Sequence, residues 1–135
     1  MHAHSRTTRR ALHLLTATSA MTLALTLTGG SVAQAHTLAQ EQAYKDYAAS
    51  GFRSAAQFDC LELLWETESN WDPDAQNPTS TAYGIPQFLN STWAVTGIAK
   101  TSDGYRQIDA GLIYIEKRFG SPCGAWSHSQ SKGWY

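Results

Sequence analysis

The feature that most constrains this chain is the point at which its aromatic and acidic side chains begin. All fifteen Phe, Trp and Tyr residues lie beyond position 43, and no acid precedes Glu41. Ahead of them stand Arg6, Arg9 and Arg10, then an uncharged stretch from Ala11 to about Thr28 rich in Leu, Ala and Thr. Gly29-Gly30-Ser31 interrupts it, and Ala33-Gln34-Ala35 offers small residues where a signal peptidase pocket requires them. This is the layout of a secretory leader over residues 1–35, with cleavage expected after Ala35. A retained membrane anchor is the competing reading, because an uncharged stretch of this length approaches a bilayer span. The interspersed Thr, Ser and His13, together with the A-x-A site, argue for removal. Thr8-Arg9-Arg10 is a weak pointer to twin-arginine export. The expectation is a secreted chain with no stable membrane insertion after cleavage.

Residues 36–135 then number 100, with 7 basic against 11 acidic side chains, a net charge near −4. No Lys/Arg cluster lies in this part, which excludes a nucleic-acid footprint. One hundred residues form one small domain with a modest core, a size at which a covalent cross-link helps. Cys60 and Cys123 are the only cysteines, and export would place them where thiols oxidise. If they pair, the closed loop is long, and chain-entropy reasoning gives about 4 kcal/mol. Besides these sulfurs, this part offers only His36 and His128, with no ligand spacing, so no metal and no cofactor is expected. The domain is expected to act as a monomer.

Hydrophobic periodicity places the helices. Residues 36–53 read as a helical or partly frayed segment ending near Gly51, with the main domain over 54–135. Ser54-Ala55-Ala56-Gln57 has the form of a capping box, Ser54 as N-cap and Gln57 reaching back. Phe58, Leu61, Leu64 and Trp65 follow on one helix face. Asp72-Pro73-Asp74 and Asn77-Pro78 mark a polar loop. Asn90-Ser91-Thr92 is expected to cap a short helix closed near Gly97. A further helix runs from about Asp103 to Phe119, with Ile108, Leu112, Ile115 and Phe119 as its stripe and Gly120 at C′. Ser121–Tyr135 shows no clear periodicity, and no strand pair is visible. The fold class is mainly α.

The first strong helix carries three acids in different positions. At 100° per residue from Phe58, Leu61, Leu64 and Trp65 fall at about −60°, −120° and −20°, and Glu68 at about −80°, inside the same apolar arc. Glu62 and Glu66 fall at about +40° and +80°, at or past its edge. Glu68 therefore extends the buried stripe as a carboxylate, where desolvation disfavours the charged form and raises the pKa, as a general acid requires. A helix-end Glu that merely bonds the following loop is the plainer alternative.

Glu68-Ser69-Asn70-Trp71 through Ala75-Gln76-Asn77-Pro78-Thr79-Ser80 to Tyr83-Gly84-Ile85-Pro86-Gln87 resembles the core of the lytic transglycosylases. These are lysozyme-like enzymes that cleave peptidoglycan, and the likeness is to the small secreted actinobacterial branch. It continues through Gln107-Ile108, Gly111–Ile115, Arg118–Trp126 and Gly133-Trp134-Tyr135, covering roughly residues 58–135. It implies a small lysozyme-like helical domain with one disulfide, Cys60–Cys123. It assigns Glu68 as the single catalytic acid/base, next to Ser69. Gln87 matches a glutamine facing the sugar, Tyr114 a tyrosine near the catalytic carboxylate, and Asn77 and Tyr83 a loop lining the glycan. Peptidoglycan glycan strands are the implied partner, cleaved between MurNAc and GlcNAc to leave 1,6-anhydro ends. This sequence departs from the pattern at Thr81, where Gly is usual, and at Asn70, where a small residue is usual.

Trp65 reads as core, whereas Trp71, Tyr83 and Trp93 flank the expected cleft and are candidates for stacking on a pyranose face. Trp126, Trp134 and Tyr135 read as a C-terminal clasp beside Cys123. Gly84 sits where a turn needs positive φ or close approach, and His128 reads as a surface residue. Two further functions stay open at this stage, a hydrolase that uses water on the same bond and a glycan-binding wall protein without turnover.

Overall fold

The computed structural model describes residues 30–135, with side chains from Thr37 onward. Most of the leader expected over residues 1–35 lies outside that range. Five helices follow in order, α1 (Gly30–Ser50), α2 (Ala55–Ser69), α3 (Asn90–Thr96), α4 (Gly104–Phe119) and α5 (Pro122–Lys132). The described residues hold no sheet, only isolated bridges of Tyr83 with Gln76 and Phe88. The mainly α expectation is met. No described helix is long and apolar enough to cross a membrane.

The stripe on α2 drives the core. Leu61, Leu64 and Trp65 are fully buried, each stabilising the fold by about 1.5–3 kcal/mol. Trp65 lies edge-on to Trp71, ring centroids 5.1 Å apart, and passes over Gly111 of α4, where any Cβ would collide with the indole. From α4, Ile108 and Ile115 close the core; Tyr44 and Ala48 enter it from α1. α1 is also tied to α2 by charge, since Lys45 Nζ lies 2.9, 3.1 and 3.0 Å from Glu41, Glu62 and Glu66. Glu62 and Glu66, off the apolar arc, thus serve packing of the first helix. A smaller cluster of Phe88, Trp93 and Ala110 sits between α3 and α4.

Three local expectations need correction. The segment after Ser121 is a helix, α5, starting at N-cap Ser121 with Pro122 in its first turn and ending at Gly133 in the left-handed conformation. Its buried residues include the small Ala125 and Ser129, so the apolar period is faint although both end signals are present. The capping box does not form. Ser54 makes no side-chain cap, and Gln57 Oε1 instead accepts from the Cys123 N–H at 3.1 Å, satisfying an orphan donor at the start of α5. At α3 the N-cap is Leu89, and Asn90 Oδ1 accepts from Lys100 Nζ at 3.1 Å. By contrast, Asp103 caps α4 through Tyr105 N–H and Arg106 N–H, and Gly120 closes it at φ 75°.

The disulfide joins Cys60 of α2 to Cys123 of α5, 63 residues apart in sequence. It fastens the helix that ends at Ser69 to the last of the described helices.

Candidate active site

α2 ends abruptly. Asn70 and Trp71 both take positive φ, 52° and 59°, with the Asn70 N–H returning to Glu66 O at 3.1 Å. Asn tolerates this region better than any residue but Gly, which accounts for Asn70 where a small residue is usual. Trp71 pays for its strained backbone with burial, being only 1% exposed. The reversal leaves Glu68 in the last turn facing the loop that follows.

A buried amide ties that loop to α4. Gln107 of α4 is fully buried. Its Oε1 accepts from the Ile85 N–H at 2.8 Å, and its Nε2 donates to Pro73 O and Thr101 O, both at 2.8 Å. Gly84 has φ 79°, and a Cβ there would lie 2.5 Å from Gln107 Oε1, so the glycine is needed for both conformation and space. Ser69 Oγ donates to Ile85 O at 2.8 Å, clipping the helix end to the same turn. At Gln87 the backbone is again left-handed, φ 50°. Its Nε2 donates to Ala75 O and Gly84 O, each at 3.0 Å, which fixes the amide and leaves Oε1 as the acceptor for a ligand.

Glu68, Gln87 and Tyr114 line one groove of about 430 Å³. Leu89, Thr92, Arg118 and Trp134 also line it. Glu68 is its one acidic side chain. The Glu68 carboxyl makes no hydrogen bond or ion pair with any described residue, and burial alone raises its pKa above the usual carboxylate value. Beside it lies Tyr135, whose hydroxyl accepts from Trp65 Nε1 at 2.9 Å and donates to Pro86 O at 2.9 Å. Burial first, and then the Glu68 charge, push that phenol well above its ordinary value, so it stays neutral. Burial likewise raises Tyr114, with the Arg118 charge opposing.

The remaining sequence candidates sit elsewhere. Asn77 Oδ1 accepts from the Thr79 N–H at 2.9 Å and from Thr79 Oγ1 at 3.1 Å, a turn within the loop. The Tyr83 hydroxyl donates to Asp74 at 3.1 Å, and Lys100 Nζ lies 5.1 Å from its ring centre. Neither residue lines the groove with Glu68. Thr81, the second departure, uses its hydroxyl to accept from the Asn90 N–H at 3.1 Å, joining the loop to α3. Trp71 and Trp93 are 1% and 2% exposed, so they are core and not sugar platforms. His128 is half-buried against Phe119 and Trp134, not a surface residue. Trp134 and Tyr135, expected as a clasp beside Cys123, line the groove instead; nothing in their local spacing marks this.

A family model described as the transglycosylase SLT domain matches residues 41–128. The chain belongs to this family. No curated protein and no solved structure matches the chain. The SLT match runs from α1 into α5, taking in the α2 end, the pinned loop and α4; Gly133, Trp134 and Tyr135 of the groove lie beyond it. An SLT domain implies lytic transglycosylase activity on peptidoglycan. Such a domain and a disulfide both fit a location outside the cytoplasm.

Proposed function

We propose that the protein is an exported peptidoglycan lytic transglycosylase that cuts the MurNAc–GlcNAc bond with Glu68 as its single acid/base. The observation that carries this reading is an unpaired, half-buried carboxyl with a raised pKa, the one acidic side chain on its groove. Glycosidic cleavage ordinarily takes two carboxylates. With one, the substrate must supply the rest, and the MurNAc N-acetyl group is suited to stabilise the cation-like carbon, as in substrate-assisted glycosidases.

In the first half of the reaction, neutral Glu68 gives its proton to the glycosidic oxygen as the C1–O bond breaks, releasing the GlcNAc hydroxyl. In the second, the Glu68 carboxylate takes the proton of the MurNAc C6 hydroxyl as O6 bonds to C1. The product is a 1,6-anhydro ring, no water is consumed, and Glu68 ends protonated as it began. Burial favours the neutral form at the start, and the absence of a paired cation keeps the carboxylate basic in the second half. Gln87 and Tyr114 orient the sugar from the same groove and contribute position. Ser69 holds the helix end against the 84–87 turn, and Asn77 and Tyr83 shape the loop that carries the strand away from the bond. The chemistry calls for no metal and no cofactor.

We further propose that residues 1–35 direct export and are removed, leaving a monomer of one catalytic unit over 54–135 with 36–53 ahead of it. The function is tested by digesting isolated sacculi with residues 36–135 and weighing the products. Anhydro ends support the lyase, reducing ends would make it a hydrolase, and no cleavage would make it a glycan binder.

A further inference from the structure

The groove contains one cation as well as one acid, and the two do not serve each other. Arg118 lines the groove together with Tyr114 and Trp134. Its guanidinium lies 5.2 Å from the Trp134 ring centre and 5.8 Å from that of Phe119, and it makes no ion pair or hydrogen bond with any described residue. Trp134 is itself steadied from another side by the His128 ring at 4.4 Å. Arg118 is exposed, and with rings on its flank and no polar partner its N–H edges are available for a two-point grip on a carboxylate. Glu68 is not that carboxylate, since burial is the one cause acting on its titration.

We propose that Arg118 is a specificity determinant of this groove and binds a carboxylate carried by the muramic acid ring, either on its lactyl ether or on the peptide attached there. The inference rests on the transglycosylase reading above. Sugar rings and N-acetyl groups are uncharged and offer a cation only ordinary hydrogen bonds, whereas the lactyl arm or its peptide is where the strand carries negative charge. The plainer role is a cation in the last turn of α4 favoured by the helix dipole. That role is indifferent to the charge of the strand, and this separates the two.

Binding is measured in the Glu68→Gln background, where turnover does not interfere, with three glycan preparations. The first bears stem peptides, the second has been stripped by an amidase to free lactyl carboxylates, and the third is the second with those carboxylates converted to amides. With the lactyl carboxylate as ligand, amidation is expected to weaken binding of stripped strands about tenfold when Arg118 is present. In Glu68→Gln/Arg118→Gln that sensitivity is expected to vanish, and Arg118→Lys to retain only part of it. If stripped strands bind better than peptide-bearing ones only when Arg118 is present, the lactyl carboxylate is the ligand; the reverse order assigns the peptide. The proposal is overturned if, with Arg118 present, amidation has no effect and peptide-bearing strands bind no better than stripped ones, or if the preferences are the same in its absence. Sacculus cleavage by the parent chain is assayed alongside, so failure of the lyase reading is seen separately from failure of carboxylate recognition. Thermal melts of each variant confirm folding.

Discussion

Replacing Gln107 with Leu should unfasten the loop that positions the groove. The side chain is fully buried, and its three hydrogen bonds reach Ile85, Pro73 and Thr101, each at 2.8 Å. Leucine is close in volume, so little cavity is created, and the loss is that of three backbone partners. Each buried group left unsatisfied costs about 1–3 kcal/mol. With partial relaxation and water entry, the sum is expected at about 3 kcal/mol, a large share of the roughly 5–15 kcal/mol that holds a domain together. For a domain of this size that corresponds to a fall in Tm of about 15 °C. Urea unfolding with the disulfide intact should show a lower midpoint at unchanged slope, and cleavage should fall because Pro86 and Gln87 sit on the released turn. A loss under about 1 kcal/mol would refute the claim that this amide carries the loop.

Further outcomes follow from neighbouring features. Gly84→Ala meets both a left-handed backbone and Gln107 Oε1, whereas Gly97→Ala at φ 78° meets no atom within 4 Å; chemical denaturation should show about 3 kcal/mol lost at the first and about 1 at the second. Replacing Cys60 and Cys123 together by Ser opens a 63-residue separation and should lower stability by about 4 kcal/mol, read against the oxidised parent in urea. Burial raises the Glu68 pKa above its unfolded value, so the stability it contributes as a neutral carboxyl is complete below the unfolded pKa and is lost as pH rises through the folded one. Glu68→Gln should therefore gain stability relative to the parent on going from acid to about pH 7, and a difference that does not change with pH would speak against a desolvated carboxyl.

The parts of the fold visible in sequence are those whose signal is local. The stripes of Phe58–Trp65 and Ile108–Phe119 locate α2 and α4, and Asp103 and Gly120 mark the ends of α4 because caps act within one turn. α5 escaped the periodicity because Ala125 and Ser129 bury small side chains, although Ser121-Pro122 and Gly133 bracket it. Gln57 looked like a capping partner for its own helix, and only tertiary packing turns it toward Cys123. The same division holds at the site. The angular position of Glu68 marks it as a carboxylate on an apolar arc, but its company of Gln87 and Tyr114 came from the family likeness, not from spacing. Gln107 and Tyr135 have no local mark, since Pro73, Ile85, Trp65 and Pro86 are distant in sequence and only the folded chain brings them together; the place of Arg118 on the groove is likewise visible only in the fold. Trp71 and Trp93 flank the loop in sequence yet face inward, because indole burial stabilises the fold more than exposure at a rim.

The most direct test of the central claim is mass spectrometry of sacculi digested by the parent chain and by Glu68→Gln. The account predicts 1,6-anhydro ends from the parent and a rate lower by about 10²–10⁴-fold from the variant, with strand binding retained. Undiminished cleavage by Glu68→Gln would contradict it.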